Sequence, residues 1–88
     1  MLIFRGQELE PEHETAFARR FNKIRIYVGN DDTKLPGHPE INVLSNVVAN
    51  GRPIGFQNQV GHEWHPDGTG WPYPAVATVL YCVEAPET

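Results

Sequence analysis

Eighty-eight residues make one small domain, and a chain of this size buries only about 60–65% of the surface it exposes when unfolded. A formal net charge of −4, with 20% charged and 40% apolar residues, leaves no basic footprint for nucleic acid and fits an ordinary soluble protein. Cys82 stands alone, which excludes an internal disulfide; with no leader-like or membrane-length apolar run, a reducing, cytoplasmic setting without membrane insertion is expected.

In chain order, Leu2-Ile3-Phe4 is a short apolar run stopped by Gly6 and reads as a strand only just begun. Pro11 to Phe21 predicts a helix. Pro11 suits the first turn, Glu12 and Glu14 lie early and Arg19 and Arg20 late, as the helix dipole favours, and Phe17 and Phe21 share a face. Ile24, Ile26 and Val28 alternate with Arg25 and Tyr27, the period-2 signature of a half-buried strand, and Gly29-Asn30-Asp31-Asp32 reads as a turn. Thr33 to Glu40, with Pro36, Gly37 and Pro39, predicts an irregular surface loop. Ile41 to Val48 predicts another strand. Asn50-Gly51 is a strong turn signal, and Arg52 to Phe56 returns as a hairpin partner that Pro53 confines to an edge or a strand start. A Gly/Pro-punctuated loop leads to Val76–Val83, read as the last and strongest strand. No repeat or composition shift divides the chain, so residues 1–88 form a single unit.

The segment His62-Glu63-Trp64-His65-Pro66-Asp67-Gly68 carries the chemistry. His65 and Asp67 are good iron ligands, and in an extended segment residues two apart point to one face, so an imidazole nitrogen and a carboxylate oxygen can converge on one ion. A His-X-Asp pair alone is a common short motif. His62 lies three residues before His65, a spacing that shares a face only on a helix, and the surrounding Gly and Pro residues disfavour one. Trp64 and Trp71 are expected to pack around the pair rather than to recognise a cation or a sugar. Glu63 and His13 are expected to face solvent, and His38 to play a structural part in its loop. Tyr27, with Asn58 or Gln59, is placed where it could face a substrate. A zinc hydrolase built on His62, His65 and Asp67 is set aside, because the usual His-X-His-X-Asp-His spacing is absent.

Several blocks in fixed order widen the view: Phe4-Arg5-Gly6-Gln7, Phe17-Ala18-Arg19-Arg20-Phe21, His38-Pro39-Glu40-Ile41, Ser45-Asn46-Val47, Asn50-Gly51-Arg52-Pro53-Ile54-Gly55, Trp64-His65-Pro66-Asp67-Gly68 and Leu80-Tyr81-Cys82-Val83-Glu84-Ala85-Pro86. Together they resemble the TauD/TfdA-like Fe(II)- and 2-oxoglutarate-dependent dioxygenases over nearly the whole chain. The resemblance implies that His65 and Asp67 are the first two members of a two-His, one-carboxylate facial triad. It implies Fe(II) as cofactor and 2-oxoglutarate as co-substrate, decarboxylated to succinate and CO2 while a small organic acid is hydroxylated.

The same resemblance sets limits. The family's distal His, its Arg for the co-substrate carboxylate and its Gly-Gly-Asp-Thr block have no counterpart among these residues. The chain is therefore expected to be an early, internal part of such an enzyme, with no catalytic residue of its own and no turnover alone. Taurine-type members place a polar side chain four residues ahead of the first iron ligand, where this chain has Gly61, so taurine itself is not expected. The implied fold is α+β, mainly β: part of a double-stranded β-helix (jelly-roll, clavaminate synthase-like) with one packing helix. A part-built sheet leaves edges unpaired, so a homo-oligomer or strand-exchanged assembly is expected. The alternative is a non-catalytic binding or self-association domain derived from that fold.

Overall fold

The computed structural model describes residues 1–29, 31–56, 63–68, 70–85 and 87. Helix α1 spans Pro11–Ala18. Proline at the first helical position gives up no hydrogen bond, since that N–H has no intrahelical acceptor, and its fixed φ suits the helix. The Glu10 N–H, just ahead, donates to His13 Nδ1 at 3.2 Å, so this histidine is exposed, as expected, and also serves the helix start. The helix stops three residues short of the predicted Phe21, and the chain continues through turns whose amides reach back to Phe17 and Ala18 carbonyls. Phe17 and Phe21 still meet edge-on at 5.4 Å, and Phe4 stacks against Phe17 at 5.9 Å. Among the described residues Leu2-Ile3-Phe4 is tied down by the Phe4–Phe17 ring contact. It forms no strand, because no neighbouring strand pairs with it, and Leu2 and Ile3 stay exposed.

After a 3-10 turn at Asp31–Thr33 come strands β1 (Lys34–Leu35) and β2 (His38–Asn42), paired antiparallel. The predicted loop is thus a hairpin. Proline at the first and glycine at the second central position, with Gly37 at φ +80°, is the chemistry of a type II turn, and the turn joins Leu35 to His38. The register then jumps to Lys34 opposite Asn42, a bulge that the ladder survives because the Val43 N–H donates to the Thr33 carbonyl at 2.7 Å. His38 opens β2 rather than sitting in a loop, and its Nε2 lies 3.4 Å from Glu12 on α1. Arg19 lies 3.9 Å from Glu40, a second link between helix and hairpin.

Strands β3 (Val48–Ala49) and β4 (Arg52–Pro53) form the hairpin that Asn50-Gly51 predicts, with Ala49 opposite Arg52. Asn50 at φ +52° and Gly51 at φ +72° give the two left-handed residues of a type I′ turn. Pro53 costs nothing here, since it lies in a two-stranded sheet, and so on an edge. The predicted Ile41–Val48 strand is divided. Its first part ends β2, its last opens β3, and Leu44 between them makes an isolated parallel bridge to Phe56. That bridge brings Gly55 so close that a Cβ there would collide with the Val43 carbonyl, and φ +76° independently demands glycine.

Two further predicted strands have no ladder among the described residues. Around Ile24–Val28 the expected alternation is absent: Ile24 and Arg25 are half-buried, while Ile26, Tyr27 and Val28 are exposed. Val76–Val83 also runs unpaired, with Val76, Leu80 and Val83 exposed. Alternation encodes which face seeks burial, but pairing needs a partner that the described residues do not supply. Thr15 is the only buried residue among those described, its hydroxyl donating to the Glu12 carbonyl, and no apolar side chain among them is buried. Among the described residues no helix is long and apolar enough to cross a membrane.

Candidate metal centre

Residues 63–68 lie outside any strand, yet the His-X-Asp spacing still brings its two side chains together, with His65 Nε2 3.3 Å from Asp67 Oδ1. Both are about half exposed. The other ring nitrogen, Nδ1, lies 2.8 Å from the Glu63 carbonyl oxygen. A carbonyl can only accept, so Nδ1 is the nitrogen that donates there, and Nε2 is the one turned toward the carboxylate. A ring nitrogen and a carboxylate oxygen that face each other call for a cation between them, either a proton on Nε2 or a metal ion. Fixing one imidazole nitrogen through the main chain so that the other is free to ligate is the usual support for a metal-binding histidine.

The donor set is an imidazole nitrogen and a carboxylate oxygen, which suits divalent iron. Among the described residues no group of three or more His, Cys, Asp or Glu side chains is arranged to hold a metal, so His65 and Asp67 stand as a pair. His62, Asn58, Gln59 and Gly61 lie outside the described residues.

Tyr27, read as a substrate-facing residue, packs edge-on against Trp71 with ring centroids 5.3 Å apart. Trp64 stands fully in solvent instead of packing beside the pair. Trp71 does pack, and it also receives a cation: the Arg25 guanidinium lies 4.5 Å from its ring centroid. Arg25 Nη2 further donates to the Tyr73 carbonyl at 2.7 Å. Sequence reading passed over Arg25, although one signal was present, a charged residue in the middle of an alternating apolar run. Downstream, the Tyr81 hydroxyl donates to the Gln7 carbonyl at 3.3 Å and accepts from the Leu9 N–H at 3.2 Å, tying the last described stretch to the first. Cys82 is free and exposed.

The family described as taurine catabolism dioxygenase TauD, TfdA family, matches residues 1–88 of this sequence. The chain belongs to the TauD/TfdA dioxygenase family. A relative within reach of direct comparison is pentalenolactone F synthase of Streptomyces arenae, 36% identical over 88 residues that cover 98% of this chain. The chain spans 29% of that protein's length. No solved structure matches it. Among the described residues the two small antiparallel sheets and the one helix do not conflict with the jelly-roll fold that this family implies.

Proposed function

We propose that His65 and Asp67 are two protein ligands of the Fe(II) centre of a 2-oxoglutarate-dependent dioxygenase that hydroxylates a small organic acid. The observation that carries this reading is the facing pair, 3.3 Å apart, with His65 Nδ1 already committed to the Glu63 carbonyl. Membership of the TauD/TfdA family along the whole chain supports it. Iron with 2-oxoglutarate supplies the oxidising power for hydroxylation when bound. The chain's own residues hold and orient: Glu63 fixes the tautomer, His65 offers its free nitrogen, and Asp67 offers a carboxylate on the same side. Two ligands do not complete a facial triad, so a third ligand and the grip on 2-oxoglutarate come from outside these residues, and the described elements belong to a double-stranded β-helix (jelly roll) of larger extent. Tyr27 and Asn58 are the residues of this chain proposed to face the substrate. Since the curated relative is named for a lactone product, lactones belong in the substrate panel beside simple organic acids.

A second reading has its own support: the strands lie in two-stranded sheets, and large apolar side chains including Val48, Leu80 and Val83 are exposed. Such edges and faces favour association of one copy with another, as a homo-oligomer or by strand exchange. One preparation tests both readings. Equilibrium binding of Fe(II) under anaerobic conditions, with light scattering on the same sample, should give one iron per chain and a mass above that of a monomer. His65→Ala and Asp67→Ala should each weaken iron binding at least about 100-fold. Undiminished binding in both variants would sink the ligand assignment, and a concentration-independent monomer would sink the association.

A further inference from the structure

Arg25 reaches from the first half of the chain into the segment that follows Asp67, and it does so at several points. Its Nη2 binds the Tyr73 carbonyl at 2.7 Å, its guanidinium lies on Trp71 at 4.5 Å, and its Nη1 is packed beside Gly68, 3.4 Å from where a Cβ would stand. Tyr27, two residues on and on the same side of the chain, meets the same Trp71 ring edge-on. The segment has little backbone support of its own: a single described hydrogen bond, from the Trp71 N–H to the Gly68 carbonyl at 3.3 Å, closes one turn.

Nη1 is also buried without a hydrogen-bond partner. A charged donor left unsatisfied is unfavourable, and it is tolerated where the rest of the side chain is held by stronger demands. Those demands here are geometric. A planar guanidinium can stack on a ring while its edge donates in the ring plane, which an ammonium cannot do.

We infer that Arg25 is a positioning residue for the metal pair: by clamping Gly68, Trp71 and Tyr73 it fixes the backbone directly after Asp67 and so aims the Asp67 carboxylate at His65. The inference rests on the iron reading above, and it adds a residue that lies 40 positions before His65 and touches neither ligand in any described contact. Supporting residues around a metal site change affinity by about 10- to 100-fold when removed.

The test is Fe(II) affinity in the full chain for Arg25→Leu, which keeps bulk but removes the charge and the donors, beside Arg25→Lys and the matched surface control Arg52→Leu. Arg25→Leu is expected to bind iron about 10- to 100-fold more weakly, Arg25→Lys to fall between it and wild type, and Arg52→Leu to match wild type. Circular dichroism establishes that each variant is folded. Iron binding by Arg25→Leu within about twofold of wild type overturns the inference while leaving the ligand assignment intact. Should Arg25→Leu not fold, Arg25→Lys decides alone, and wild-type affinity in it overturns the clamp. A wild-type chain that binds no iron overturns both readings together.

Discussion

Residues 11–56 and residues 63–85 hold themselves in place by different means. The first region carries α1 and both hairpins, with backbone ladders, a Pro-Gly turn and an Asn-Gly turn, and two polar side-chain contacts from the helix and its cap to the hairpin. The second has no ladder among its described residues, and its long-range contacts come from side chains: Arg25 to Tyr73, Tyr27 to Trp71, and Tyr81 to Gln7 and Leu9. The candidate ligands lie in the second. The lesson is that the chemistry-bearing segment is shaped by residues reaching across from elsewhere, whereas the scaffold is shaped by its own main chain.

That contrast can be broken by substitution. The largest expected effect is at Gly55, where alanine meets both the Val43 carbonyl and a positive φ; Gly55→Ala should cost about 1–3 kcal/mol in a urea melt. A melt indistinguishable from wild type would deny the first region its backbone-determined character. Next is Tyr81→Phe, which removes one hydroxyl that both donates and accepts, leaving the Leu9 N–H and Gln7 carbonyl to water. It should cost about 1 kcal/mol and speed amide exchange at Leu9 while leaving the β3–β4 hairpin amides unchanged. Faster exchange in that hairpin would show that the two regions are not separable in this way.

The smallest effect concerns Glu14, half-buried on α1, whose carboxyl is pushed above its ordinary value by burial. The folded state therefore keeps this proton to higher pH than the unfolded chain does, so stability falls as pH rises through the window just above the ordinary glutamate range. Glu14→Gln does not titrate. Its melting temperature relative to wild type should climb across that window and level off by neutral pH, and a flat difference would refute the burial argument.

Turn chemistry was the most legible part of the fold. Pro11 at the helix start and Asn50-Gly51 in a type I′ hairpin act through local dihedral preferences, which a short stretch of sequence contains in full. Pro36-Gly37 carries equal information, but the density of Pro and Gly conceals that Leu35 and His38 flank a two-residue turn. The strands predicted at Leu2–Phe4, Ile24–Val28 and Val76–Val83 misled for the opposite reason, since alternating apolar residues record a wish for burial and say nothing of a partner. At the site, the His65-X-Asp67 convergence was visible in spacing alone. The grip of Arg25 on Tyr73 was not, as it joins residues 48 apart that no local pattern relates.

The acceptor that orients His65 is the carbonyl of Glu63 and not its side chain, and this separates the setting of the ring from the identity of residue 63. Every amino acid, proline included, brings the same carbonyl to that position. Position 63 can therefore drift in charge, size or polarity, and so retune the rim of the candidate pair, without removing the acceptor that holds Nδ1.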